Sequence, residues 1–306
     1  MYDCRSRRTT SNFVVEPPWH GGHARYVETR TNTAGAPAGA PEQWQLAGTA
    51  AEVYQQHLVP AIFGHWASVV AAAGSLRPGE RVLDVACGTG AVAREAARSV
   101  GAGGTVVGLD NNPGMLAVAR AVSAATAVEW READAMAMPF ADAEFDVVLC
   151  QLGLQYFPDR LAAMQEIHRV LVPDGRVVLL VWQSIEQSPG FALLAEALER
   201  HVGLPAATIM RAPFVFGDPD DVRVPIVAAE FHDVSVRSAT GTVRFQSAAH
   251  FVRYQVTGSP LAGPVSEASD RAREALLSEV EASTRPYASR AGLAFPIAAH
   301  LATGHT

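Results

Sequence analysis

The chain of 306 residues carries 24 basic residues against 31 acidic ones, a formal net charge of −7, and is 49% hydrophobic and 18% charged. That content allows one large domain or two ordinary ones around a buried core, and the acidic balance argues against nucleic acid, which needs a basic face. Every basic residue is an arginine, so chemistry built on a lysine, from a Schiff base to a Walker-type phosphate loop, is excluded.

An all-arginine complement is a codon signature of a GC-rich genome, and the expected source is bacterial. Cys4, Cys87 and Cys150 lack the spacing of a disulfide framework or a zinc cluster. The longest apolar runs, such as 177–182, fall far short of the ~20 residues that span a bilayer. No apolar stretch follows the N-terminal arginines, so no secretory signal is read and a cytoplasmic protein is expected.

Residues 1–42 are polar and end in an alanine-, glycine- and proline-rich run over 31–41. Such a stretch buries too little surface to offset its ordering entropy, and a disordered extension is expected. His20 and His23 within it are two ligands, too few for a metal site. Over 43–76, Tyr54, Leu58, Ile62, Trp66 and Val69 recur at helical spacing, and Pro60 predicts two helices or a kink.

From Arg81 the pattern becomes alternating units. Strands are expected at 81–85, 105–110, 128–132, 145–150 and 176–182, with helices at 91–100, after Asn112, and at 161–171. Asn112 followed by Pro113 is a helix start, and Pro173-Asp174-Gly175 reads as a turn. Near-continuous apolar strands alternating with helices predict an α/β, Rossmann-like, doubly wound parallel sheet covered on both faces. Beyond Trp182, helices are expected at 191–202 and 268–282 and strands at 231–236 and 295–301, with Phe214, Phe216, Phe245, Phe251 and Tyr254 among them.

The strongest signal is the strand and glycine turn Val82–Gly90. Gly88 and Gly90 tolerate positive φ and close approach of a ligand, and the helix behind them presents free N–H groups. Twenty residues after Gly90, Asp110 ends the second strand, where a carboxylate accepts from both hydroxyls of a ribose. After the third strand, Asp134 is placed to accept from an adenine amino group, with Met115 or Met136 packed on the ring. Residues 88–93 also fit the G-x-G-x-x-A fingerprint of a dinucleotide site. Asp84, four positions before Gly88, separates the two readings. Its charge repels a pyrophosphate and welcomes the ammonium of a methionine moiety, so S-adenosylmethionine is favoured over a nicotinamide dinucleotide.

On the stretches 82–90, 108–116, 134–140, 145–148 and 166–176, in that order, the chain resembles the class I S-adenosylmethionine-dependent methyltransferases, and most the small-molecule branch with the ubiquinone and menaquinone C-methyltransferases. The resemblance covers about residues 45–183. It implies that Asp84, Ala86 and Gly88 line the methionine end, with Gly90, Asn111 and Met115 also at the cofactor. Asp110 would hold the ribose, Asp134 with Ala135 the adenine, and Gln151 would lie near the transferable methyl. Ala86 departs from the glycine many members carry. The resemblance further implies a seven-stranded sheet with an antiparallel last strand, for which 295–301 is the candidate.

The expected organisation is an extension over 1–42 and a methyltransferase domain over 43–306. Within it, 43–80 supplies lid helices, 81–183 the cofactor-binding core, and 184–306 a substrate cap and the last strands. Tyr54 and Gln155 are the candidate substrate-pocket residues. His57, His65 and His168 are read as structural, so no general base is named and no metal is expected. Cys150-Gln151-Leu152-Gly153 replaces the Asn/Asp-Pro-Pro-aromatic signature of nucleic-acid amino-methylating enzymes, and the cysteines do not suit arsenite methylation. The expected activity is O- or C-methylation of a small, largely apolar molecule. A cofactor-binding protein of the same fold that transfers no methyl, and an NAD-dependent oxidoreductase, are the alternatives.

Overall fold

A computed structural model of the chain describes residues 46, 48–123 and 126–306. The extension expected over 1–42, with His20 and His23, lies outside the described residues.

The chain opens with α1 (Thr49–Val53), which runs through a π-helical stretch, Tyr54–Phe63, into α2 (Gly64–Ala73). There follow β1 (Arg81–Val85), α3 (Ala91–Val100), β2 (Thr105–Asp110), α4 (Pro113–Val122) and β3 (Glu129–Glu132). Next come β4 (Phe145–Gln151), α5 (Arg160–Val170) and β5 (Leu171–Trp182). Three helices, α6 (Pro189–His201), α7 (Leu204–Arg211) and α8 (Pro219–Ala228), lead to β6 (His232–Phe245). Then α9 (Ala248–Thr257), α10 (Ala262–Glu267) and α11 (Asp270–Ser283) precede the two-residue β7 (Ala288–Ser289) and β8 (Gly292–His305).

The sheet runs β3-β2-β1-β4-β5-β8-β6, with β7 pairing β8 to the side. The first five strands pair in parallel, and β8 lies antiparallel between β5 and β6. This is the expected doubly wound sheet, with 295–301 inside its antiparallel last strand and β7 as a short addition. The alternation of strand side chains sorts the core into two faces. Val82, Leu149, Val178 and Leu180 pack towards α2, α3 and α6, whereas Leu83, Val148, Val177 and Leu179 pack towards α5 and α8.

Two expectations are corrected. Pro60 neither splits nor visibly ends the first helix: the backbone widens to π winding across Tyr54–Phe63. Proline lacks a donor and crowds the carbonyl four residues back, and a wider turn gives that carbonyl room. Pro173-Asp174-Gly175 is not a turn before the strand but part of β5, where the pairing with β4 shifts register between Phe145 and Val147. Asp174 takes a positive φ of 61° there, so the irregularity is absorbed as a bulge.

Polar ties hold the strand ends. The Arg176 guanidinium bridges Glu80 at 2.8 Å and donates to the Gly74 carbonyl at 2.5 Å, fastening β5 to the segment before β1. Arg81 pairs with Asp146 across β1 and β4.

Candidate active site

A cavity of about 340 Å³ opens at the carboxyl ends of the parallel strands, where the strand order reverses between β1 and β4. Each strand delivers residues to it: Ala86 and Gly88 follow β1, Asp110 and Asn111 end β2, Asp134 and Ala135 follow β3, Gln151 closes β4, and Trp182 closes β5. Met115, at the start of α4, and Tyr54, in the π-helical stretch, complete the set. A smaller chamber continues beneath the turn after β1 and is lined by Asp84, Thr89 and Gln151 among others.

The turn is built from left-handed residues: Ala86 and Gly88 have φ of 55° and Gly90 has 80°. At Gly88 an added Cβ would be 3.6 Å from Met115 Cε, so the backbone faces open cavity. Gly90 differs, since it lines neither space. A Cβ there would run into the Trp130 indole, which also lies 2.5 Å from a Cβ position at Gly108. These two glycines exist to seat a tryptophan between β1, β2 and α3.

Asp84 is 1% exposed. One oxygen accepts from the Ala93 N–H at 2.9 Å, in the first turn of α3, and the other is buried with no partner. Burial pushes its pKa up to about 8; the Asp110 charge adds to this, while the Ala93 N–H and Arg94 oppose it. Thr89 Oγ1 and Gln151 Oε1 are likewise buried without partners. Three unpartnered acceptor-capable atoms around one small chamber leave a hydrogen-bonding deficit that a ligand carrying donors would fill.

Asp110 holds the bottom of the site rigid. Its carboxylate accepts from the Gly88 N–H at 2.7 Å and the Asn112 N–H at 2.8 Å, tying the ends of β1 and β2 together. Burial raises its pKa, and the N–H groups of Asn112, Gly88 and Asn111 counter it. Asn112 caps α4 as expected, accepting from Gly114 and Met115. Asp134 accepts from the Met136 N–H at 2.9 Å. The loop behind it is anchored by α5: Glu166 accepts from the Met138 N–H at 2.7 Å, and Arg169 donates to the carbonyls of Met138 and Phe140.

The roof is aromatic. The Tyr54 and Phe63 rings stack at 4.9 Å, and burial raises the Tyr54 pKa, aided by Tyr156 and Asp110. Gln151 Nε2 donates to the Phe63 carbonyl at 3.3 Å, linking roof to floor. Gln155 lies buried beside Tyr156 and lines neither space: in the short helix 154–156, Tyr156 faces the cavity and Gln155 does not. The three histidines pack on aromatic rings: His57 stacks on Tyr254 at 3.8 Å, His65 packs on Trp66, and His168 packs edge-on against Phe231.

Trp182, Phe191, Met210, Phe214, Gln255 and Ser259 also line the cavity and were not named as site residues.

Residues 83–179 match the methyltransferase domain family. The 2-phytyl-1,4-beta-naphthoquinone methyltransferase of Arabidopsis thaliana is 37% identical over 150 residues, 47% of this chain and 57% of that one. The chain thus spans little more than half of that relative. The demethylmenaquinone methyltransferase of Staphylococcus epidermidis is 32% identical over 206 residues, 62% of this chain and 81% of that one. The chain belongs to the class I S-adenosylmethionine-dependent methyltransferases, in the quinone C-methyltransferase-like branch. The fold of this methyltransferase is shared by phosphoethanolamine N-methyltransferase 2 of Haemonchus contortus, solved in complex with S-adenosyl-L-methionine. That likeness has a TM-score of 0.53 at 19% identity and covers 84% of this chain and 57% of that one. Among the described residues of the methyltransferase, no helix is long and apolar enough to cross a membrane, and no cluster of three metal-ligating side chains occurs.

Proposed function

We propose that the protein uses S-adenosylmethionine to methylate a small, largely apolar acceptor at oxygen or carbon. The observation that carries this reading is Asp84, a buried carboxyl with one oxygen unpartnered in the chamber under the glycine turn. An ammonium finds a free acceptor there. A pyrophosphate would find no free cation there, since Arg94 is committed to the Thr89 carbonyl and Ser123, and would meet negative charge whenever Asp84 is ionised.

In this reading Asp84 and Thr89 hold the amino-acid end, and Ala86 and Gly88 allow the backbone to approach it. Each Asp110 oxygen keeps a lone pair for a ribose hydroxyl. Asp134 and Ala135, with Met115, frame the adenine, and Asn111 and Gln151 complete the walls. When bound, S-adenosylmethionine supplies an electrophilic methyl: the acceptor's nucleophilic atom takes it, the C–S electron pair stays on sulfur, and any acceptor proton leaves to water. The protein's share is orientation and exclusion of water, worth roughly 7–11 kcal/mol when reacting atoms are held at attack distance. The cavity walls among the described residues hold no histidine.

Of the described residues, 48–80 serve as the roof, those within 81–183 as the cofactor core and 184–306 as the acceptor walls. The relatives named for naphthoquinone and demethylmenaquinone support a flat, apolar acceptor, and the acidic balance supports a small molecule over nucleic acid. Calorimetric titration tests the cofactor assignment: S-adenosylhomocysteine is expected to bind and NADH to remain silent, and the reverse result refutes it. Release of S-adenosylhomocysteine from a panel of phenolic acceptors then tests transfer.

A further inference from the structure

The chamber under the glycine turn measures about 30 Å³, room for one small polar group. Three of its lining side chains carry a buried oxygen without a hydrogen-bond partner among the described residues: Asp84 Oδ1, Thr89 Oγ1 and Gln151 Oε1. Gln151 is oriented by its Nε2, which donates to the Phe63 carbonyl, so its free atom is an acceptor. An ammonium has three donors and no acceptor, and three such oxygens around one small space suit it.

A carboxylate in this chamber has little to hold its charge. Asp84 is 1% exposed, and its hydrogen bond among the described residues comes from the Ala93 N–H at 2.9 Å. From α3 the facing cation is Arg94, whose guanidinium is already bonded to the Thr89 carbonyl and Ser123. From the end of β2 comes a like charge, Asp110. The other titratable groups around the chamber among the described residues are Cys87 in the turn, Cys150 on β4 and Tyr54 in the roof. Burial raises all three, so they are neutral at physiological pH. Asp110 tolerates its charge better, because its carboxylate accepts from the Gly88 and Asn112 N–H groups. For Asp84, one N–H and a guanidinium engaged elsewhere do not offset the loss of water beside a second carboxylate.

We propose that Asp84 is a proton-exchange group: it is neutral in the ligand-free protein and releases one proton to solvent as the ammonium of the cofactor's amino-acid end enters the chamber, which couples cofactor capture to pH. This role, which rests on the S-adenosylmethionine reading of the site, conserves charge within the chamber. A neutral carboxyl gives way to a carboxylate–ammonium pair of zero net charge, and the departing proton goes to the buffer. The ionised form alone accepts the ammonium, so apparent affinity scales with the ionised fraction. Burial pushes the carboxyl up to about 8, so that fraction falls about tenfold for each pH unit below it, to roughly one molecule in ten at pH 7. S-adenosylhomocysteine carries the same ammonium, so acid weakens product and cofactor alike.

Calorimetric titration of the full chain with S-adenosylhomocysteine, in two buffers of different ionisation enthalpy, counts the protons released. Close to one is expected at about pH 6.5. 5′-Methylthioadenosine has the adenosine and the sulfur but no ammonium, and is expected to release none. The affinity of S-adenosylhomocysteine relative to 5′-methylthioadenosine is expected to rise about tenfold per pH unit between about pH 5.5 and 7.5. Titration of Asp110 at the ribose affects both ligands and cancels in this ratio. A flat ratio with no proton released overturns the proposal and leaves the cofactor reading standing. Failure of S-adenosylhomocysteine to bind at any pH overturns the cofactor reading, and the proposal with it. Infrared spectra of the ligand-free protein give a second readout. The carbonyl band of a neutral carboxyl is expected in the wild type at about pH 6.5, to fade as pH rises through about 8, and to be missing from Asp84→Asn. Identical spectra from the two proteins in that region overturn the proposal.

Discussion

Replacing Asp84 by asparagine is expected to stabilise the ligand-free protein and to remove its affinity for the cofactor. In the unfolded chain this carboxyl titrates at its ordinary value of 3.8, whereas burial holds it at about 8 in the fold. Between those values the folded protein keeps a proton that the unfolded chain has released, so stability falls as pH rises from about 4 to 8. At about 1.36 kcal/mol per pKa unit, the displacement amounts to about 4 kcal/mol at pH 7 and somewhat more at pH 8. Asparagine keeps the acceptor for the Ala93 N–H and, like the protonated acid, puts a donor at the unpartnered position, so what it removes is this proton cost. If relaxation of the site halves the cost, about 2 kcal/mol survives, or roughly 4 °C in Tm for a chain of this size. Thermal unfolding of both proteins at pH 5 and pH 8, with and without S-adenosylhomocysteine, measures it. The variant should melt higher at pH 8, with most of the gap gone at pH 5, and should gain nothing from a ligand that raises the wild-type Tm. A variant less stable than wild type at pH 8, or one stabilised equally by the ligand, refutes the placement of a buried, cation-seeking carboxyl at position 84.

Further outcomes follow from the same geometry. Gly90→Ala is expected to cost several kcal/mol in urea unfolding, because it adds a strained left-handed alanine, about 1–2 kcal/mol, to a collision with the Trp130 indole. Gly88→Ala is expected to cost only the backbone strain, about 1–2 kcal/mol, while weakening S-adenosylhomocysteine in calorimetry. Arg176→Ala should lower stability by about 2–4 kcal/mol at pH 7, since it strands Glu80 in a largely buried pair. Burial raises the Glu80 carboxyl, but Arg176 and the Arg77 N–H outweigh it and hold it below its ordinary value. The pair's contribution is therefore present above about pH 4.5 and lost as pH falls through the depressed value, so the difference in urea unfolding should be smaller in acid than at pH 7, with the bonds from Arg176 to the Gly74 and Ser75 carbonyls remaining. Asp110→Ala is expected to weaken S-adenosylhomocysteine by about 100-fold or more, because it removes an ionised acceptor and frees the Gly88 and Asn112 amides.

The cofactor half of the site was legible because its determinants are local. The limits of β1, α3 and β2, and the Asn112 cap, follow from runs of five to ten residues whose period, glycines and proline all agree. Glycine function was only half legible. The turn shows that Gly88 and Gly90 need positive φ, but whether a ligand or a side chain fills the space depends on Trp130, which arrives from β3. The same limit explains the first helix and β5. A proline marks a local fault in the hydrogen-bond ladder, whereas packing on both sides decides whether the chain breaks, widens to π winding as at Pro60, or bulges as at Pro173.

The acceptor half was not legible for a different reason, and that reason bears on how the protein acquires specificity. Trp182, Phe214 and Gln255 come from the end of β5, the loop after α7 and α9, and nothing in their own neighbourhoods links them. They meet only because β8 inserts between β5 and β6 and draws the intervening helices over the strand ends. The sheet's core is packed from other residues, with Phe251 and Phe295 fully buried behind this wall. Gln255 lies on the same buried face of α9 as Phe251 and lines the cavity. Substitutions at Gln255 and Phe214 are therefore expected to change acceptor choice at nearly constant cofactor affinity, whereas substitutions at Asp84 or Asp110 change cofactor affinity for every acceptor alike.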